Sequence, residues 1–104
     1  LFEHLTALEC VEASPYELDL HGHWRIDVEA LARQIDDRTK AVLVVSPNNP
    51  TGSVIDRAEL EALAAVCAAR DLVLIGDEVF ADYRLDGAAP APSVIEQDHA
   101  VAVS

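Results

Sequence analysis

The chain has 104 residues, just over half of them hydrophobic, and a formal net charge of −12. A chain of that size buries roughly two-thirds of its unfolded surface, enough for one small core, so a single segment (1–104) with no internal boundary is expected. The acidic balance excludes a basic face for nucleic acid or for an anionic membrane surface. No apolar run approaches the ~20 residues of a membrane span.

Taken in chain order, Leu1, Leu5 and Leu8 recur at helical spacing, so Leu1 to Glu9 reads as the end of a helix. Cys10 to Ser14 is expected as a short strand. Pro15 to Arg25, with Tyr16, Gly22, Trp24 and alternating polar residues, reads as an extended loop or hairpin. Asp27 can cap a helix whose apolar positions are Val28, Leu31, Ala32 and Ile35, and Asp36-Asp37 ends it. Ala41 to Val45 is an unbroken apolar run, the pattern of a parallel strand buried on both faces. After a Pro- and Gly-containing turn, Asp56 and Glu59 form a capping-box start for a helix with Leu60, Leu63, Ala64 and Cys67 on one face, ending near Arg70-Asp71. Leu72 to Ile75 is a second apolar strand, closed by Gly76-Asp77-Glu78. Asp82 to Pro92 is loop, and His99 to Val103 is a third buried strand.

Strand, helix, strand with a crossover this long is a βαβ unit. Both strands then end on the same side of the sheet, and ligands of open α/β sheets bind beyond those carboxyl ends. Here the ends carry Asn48-Asn49 and Asp77-Glu78, polar residues that the strands themselves lack. The two cysteines, Cys10 and Cys67, form no CxxC pair and no metal spacing. Cys67 falls on the helical stripe as a small buried hydrophobe, and a reducing cytoplasm is expected. His21-Gly22-His23 is the nearest approach to a metal pair, but it brings no third ligand, so no metal is expected. There is no Met, and Leu1 reads as mid-helix, so the chain is expected to be an internal piece of a longer protein.

Ser46-Pro47-Asn48-Asn49-Pro50-Thr51-Gly52, followed after one helix by Gly76-Asp77-Glu78-Val79-Phe80, resembles the large domain of the fold-type-I aminotransferases of class I and II, which depend on pyridoxal 5′-phosphate (PLP). Order, spacing and strand-end placement of the two motifs all match. The resemblance covers the whole chain but only a middle slice of a family subunit. It implies a three-layer α/β/α fold with a mostly parallel sheet, and a homodimer acting on an amino acid and a 2-oxo acid. It also implies a cofactor site containing Asn49, Asp77 and Phe80. Asp77 matches the Asp that pairs with the pyridine N–H of PLP. Asn49, pushed to an extended backbone by the following proline, matches the Asn whose side-chain NH₂ donates to the PLP phenolate oxygen. Asp77 could also simply cap a short helix starting at Glu78, and the two roles are compatible. Glu78 reads as structural or turned outward and is assigned no chemistry, and Trp24 reads as packing.

The chain departs from the family pattern in two ways. Phe80 stands where many members have a Tyr whose hydroxyl also reaches the phenolate, and Tyr83 lies three residues on. The Schiff-base lysine is expected after Ser104, and Lys40 sits at the wrong end of its strand. The chain alone is therefore expected to be inactive, with no catalytic residue of its own. The same motifs leave other readings open: a PLP-dependent lyase or decarboxylase of this fold, or the PLP-binding aminotransferase-like domain of a transcription regulator.

Overall fold

A computed structural model describes residues 2–49, 51–83, 90–98 and 100–103. Helix α1 (Phe2–Leu8) leads into a small antiparallel hairpin of β1 (Leu18–Leu20) and β2 (Trp24–Ile26). Helix α2 (Val28–Gln34) follows, then β3 (Ala41–Val45), α3 (Arg57–Arg70), β4 (Val73–Asp77), a 3₁₀ turn (Val94–Glu96) and β5 (Ala100–Val103). β3, β4 and β5 lie side by side in that order, all parallel, with β4 in the middle. The α/β class expected from the sequence is therefore the class observed.

The helix starts follow from local chemistry. Asp27 accepts the Ala30 N–H at 2.9 Å and opens α2. Asp56 accepts the Glu59 N–H at 2.8 Å while Glu59 returns a carboxylate oxygen to the Asp56 N–H at 3.0 Å, the full capping box. Beyond α2, Asp36 Oδ1 takes the N–H groups of Arg38 (2.8 Å) and Thr39 (3.2 Å), an Asx turn that closes the helix's exit. Both α1 and α3 end in a Schellman closure on a non-glycine residue, Cys10 (φ 56°) and Asp71 (φ 54°). Val11 N–H bonds Thr6 O, and Leu72 N–H bonds Cys67 O. That closure spends the first residue of the stretch expected as a strand. Cys10 to Ser14 forms no strand, because no described strand lies alongside to pair with it. The loop-or-hairpin reading of Pro15 to Arg25 resolves as the hairpin, turned by Gly22 at φ 82°.

The core lies on one face of the three-stranded sheet. Val42, Val44 and Leu74 turn toward Leu60, Leu63 and Cys67 of α3, and Leu31 of α2, Ile55, Leu72 and Val94 join the same cluster. Burial pushes the Cys67 thiol up from its ordinary value, as its apolar setting requires. On the other face the strands are only half-covered: Val73 is 41% and Val101 52% exposed. Burial on both faces, expected from the apolar runs, is thus not what the described residues achieve. The helical layer they supply packs on one side, and the other side keeps hydrophobic side chains partly exposed. β4 also runs two residues further than its apolar run, through Gly76 and Asp77. Gly76 is required there, since a Cβ would lie 2.7 Å from the Val94 Cβ.

The capping box makes a pH-dependent contribution. The Glu59 N–H, with help from the Arg25 guanidinium 2.8 Å away, holds the Asp56 carboxyl below the usual range. The Arg25 pair is exposed and itself adds little. Asp56→Ala is expected to cost about 1 kcal/mol of stability at neutral pH. A carboxyl whose folded pKa is depressed stabilises above its unfolded value of about 3.9, and the contribution fades as pH falls through the folded value. Urea unfolding of both proteins across pH checks this: the gap between them should narrow under acid, and a gap that does not change would show that the carboxylate charge is irrelevant.

Candidate functional site

The carboxyl end of β3 is pinned to that of β4 before the turn begins. Ser46, 5% exposed, gives its N–H to the carbonyl of Asp77 (3.0 Å), and its Oγ accepts the N–H of Ile55 (3.1 Å). One buried residue therefore ties both feet of the turn to the neighbouring strand end. The turn closes on itself through Asn48, whose N–H donates to Ser53 O (2.8 Å) and whose carbonyl accepts from Gly52 N–H (2.7 Å). Gly52 takes φ 68°, and the hydroxyls of Thr51 and Ser53 meet at 2.8 Å. Asn48 is half-buried and serves the turn's backbone. Asn49 is exposed at its crest, and among the described residues nothing hydrogen-bonds its side-chain amide. Pro50 lies outside the described residues.

Asp77 is the last residue of β4 and the register partner of Val45. Strand alternation places its half-buried carboxylate on the less covered face, with Val73 and Ile75. Oδ1 accepts the Val79 N–H at 3.2 Å. That is an Asx-type contact leading into consecutive turns, Ala81 N–H to Glu78 O (2.8 Å) and Tyr83 N–H to Phe80 O (3.0 Å). No helix starts at Glu78. The capping alternative for Asp77 thus reduces to one bond on one oxygen, and Oδ2 has no partner among the described residues. Phe80 sits in this turn, 41% exposed, in edge-to-face contact with Tyr83 (centroids 5.9 Å apart, planes at 66°). Tyr83 is 80% exposed.

Among the described residues, then, a carboxylate with one unpartnered oxygen ends one strand, and an unpartnered amide crowns the turn after its neighbour. An acceptor and a donor of these kinds are the chemistry that a flat heteroaromatic ring with an N–H on one edge and an oxyanion on another calls for, so the residue types fit the pyridoxal ring. The other sequence candidates lie apart. Lys40 precedes β3, its carbonyl accepting the Val73 N–H (3.2 Å), so five strand residues, roughly 16 Å, separate it from the turn. His21 and His23 sit at the hairpin tip, and the described residues contain no cluster of three or more metal-ligating side chains. Trp24 helps line a crevice between the hairpin and the turn, with Tyr16, Ile26, Val44, Asn48 and Ile55. At about 20 Å³ it has room for one water and for no substrate. Tyr16 closes it by donating to Leu43 O at 3.1 Å, and burial pushes its hydroxyl up to about 12.

Of the two readings of Glu78, the structural one holds, though the sequence named no partner for it. Its carboxylate accepts the Ser93 hydroxyl (2.8 and 3.0 Å to the two oxygens) and the Val94 N–H (2.6 Å). No local pattern signals a bond between residues fifteen apart across a loop.

Comparison with known proteins agrees with the geometry. The family model for aminotransferase class I and II matches residues 2–104. A tyrosine aminotransferase of Caenorhabditis elegans is 40% identical over 79 residues, 75% of this chain and 17% of that protein. The N-succinyldiaminopimelate aminotransferase of Mycobacterium tuberculosis superposes with a TM-score of 0.84 at 31% identity, over 94% of this chain and 27% of its own. A PLP-bound putative aminotransferase from Clostridium difficile 630 shares the fold, with a TM-score of 0.82 at 24% identity, over 97% of this chain and 27% of its own. The chain spans about a fifth of the length of the curated relatives it matches. It belongs to the aminotransferase class I and II family.

Proposed function

We propose that residues 1–104 form part of the large, cofactor-binding domain of a longer enzyme that moves an amino group between an amino acid and a 2-oxo acid. The carrying observation is the Asp77 carboxylate at the end of one strand, its Oδ2 without a partner among the described residues, beside the turn that carries Asn49, whose amide has no partner among them either. PLP, when bound, supplies an electron sink for the substrate's bonding electrons, and its ring nitrogen must stay protonated to do so. Asp77 accepts that N–H and keeps the proton in place through its charge. Asn49 donates to the phenolate oxygen and orients the ring. Ser46 keeps the two strand ends in step, so that donor and acceptor move as one frame. Lys40, at the far end of β3, is no candidate for the covalent attachment, so the lysine that provides it comes from outside these residues. The chain alone would carry no transaminase activity. The proposed enzyme is a cytoplasmic homodimer, a reading that rests on the family resemblance, and the acidic charge argues against a nucleic-acid or anionic membrane surface as partner.

The test is the visible absorbance of the full-length protein with added PLP, followed by amino transfer across a panel of amino acids and 2-oxo acids. A visible band and transfer to a 2-oxo acid are expected. A protein that shows no band at any PLP concentration would overturn the reading.

Phe80 leads to a prediction with a definite sign. It offers no hydroxyl, so Asn49 is the donor these residues bring to the phenolate oxygen. A tyrosine at this position would add a hydrogen bond to a charged oxygen, worth about 1.5–3 kcal/mol or one to two pKa units. Stabilising the anion makes its proton easier to lose, so the visible titration of the bound cofactor should fall to lower pH in Phe80→Tyr. Equal titrations would show that a donor already fills the place, with Tyr83 the first to examine.

A further inference from the structure

Gly76, Asp77 and Glu78 alternate in direction along the end of β4. Gly76 faces the α3 side, where it leaves room for Val94, a residue with no exposed surface. Glu78, one step past the strand, grips the same segment: Ser93 Oγ donates at 2.8 and 3.0 Å to its two oxygens, and Val94 N–H donates at 2.6 Å. A carboxylate taking a hydroxyl and a backbone N–H at such distances makes charge-assisted bonds, the strong kind. Asp77 lies between these two anchors and points the opposite way. Among the described residues its own carboxylate is held by a single bond, from Val79. The direction in which Asp77 projects therefore depends on a backbone fastened from behind, on one side by the Gly76–Val94 contact and on the other by the Glu78–Ser93–Val94 clamp. β5 follows that clamp directly and meets the same residues in register, Gly76 opposite Ala102 and Asp77 opposite Val103.

We propose that Glu78 is a positioning residue of the cofactor site: by gripping Ser93 and Val94 it fixes the backbone at Asp77 and so the aim of the Asp77 carboxylate. Glu78 touches no reacting atom and acts through its neighbour. The inference rests on the reading that Asp77 pairs with the ring nitrogen of PLP.

The test is a double-mutant cycle on PLP affinity in the full-length protein, read by titration of cofactor absorbance. Glu78→Ala should weaken PLP binding on the order of tenfold, the scale of loss when the outer partner of a ligating side chain is removed. Glu78→Gln should stay within about threefold of wild type, because the amide oxygen still accepts from Val94 and the amide NH₂ can donate to the Ser93 hydroxyl. In an Asp77→Asn background the Glu78→Ala change should cost less than about twofold more, since its route of action is already cut. A merely structural contact would not depend on Asp77, so losses that multiply across the cycle would overturn the proposal. Should Glu78→Ala fail to fold, Ser93→Ala removes only one hydroxyl and enters the same cycle, with the same non-multiplying loss expected and the same overturning result. Wild-type protein that binds no PLP sinks the cofactor reading and this inference together; wild-type protein that binds PLP but gives multiplying losses sinks this inference alone.

Discussion

Asp77→Asn in the full-length protein is expected to lower kcat by about 10²–10³-fold, the loss typical of removing one preorganised electrostatic partner from a reacting centre. Asparagine keeps the size, and its amide oxygen can still take the Val79 N–H that Asp77 Oδ1 accepts at 3.2 Å. The turn beyond β4 therefore survives, and the change isolates the charge. Under the proposed pairing, loss of the carboxylate would leave the ring nitrogen of PLP without an anion to keep it protonated, and electron withdrawal through the ring would weaken. Asp77→Ala should be at least as damaging and should also weaken cofactor binding. Steady-state kinetics beside a PLP titration separate the two effects. An Asp77→Asn enzyme within a few-fold of wild type would show that Asp77 belongs to the turn and not to the chemistry.

Leu63→Ala should give a large loss of stability, about 2–5 kcal/mol. Leu63 has no exposed surface and lies in α3 among Leu60, Cys67 and the inward residues of β3 and β4. Its neighbours belong to a helix and a sheet with fixed registers, so they cannot close over the gap, and the cost of the cavity adds to the lost burial. A protein whose whole stability is about 5–15 kcal/mol cannot ignore that. Urea unfolding should show a lower midpoint with an unchanged slope. Leu5→Ala, at a position 49% exposed, is the control and should stay within about 0.5 kcal/mol. A Leu63→Ala loss no larger than the control's would mean that α3 is not packed as described.

Much of this protein was legible before any coordinate. The starts of α2 and α3 need only an Asp and the N–H groups within its reach, and those are neighbours in sequence. Ala41 to Val45 and the core of β4 followed from unbroken apolar runs. The two motifs, read together, pointed to the family. Each of these rests on interactions between residues a few positions apart or on a pattern that repeats along the chain. Tertiary structure decided the rest. Cys10 to Ser14 had strand-like composition, but a strand needs a neighbour to take its hydrogen bonds, and none lies alongside among the described residues. The apolar runs implied two buried faces, yet which face is buried depends on where the helices pack, and α3 packs on the side of Val42, Val44 and Leu74. Gly76 looked like punctuation at the end of a strand and is instead the space into which Val94 fits. Glu78 looked idle until the chain brought Ser93 back to it across a loop. Local hydrogen-bonding and periodicity act over three or four residues and can be read from the order of letters. A contact across a fold depends on the path of every residue between its two ends, so it becomes visible only once the chain has closed.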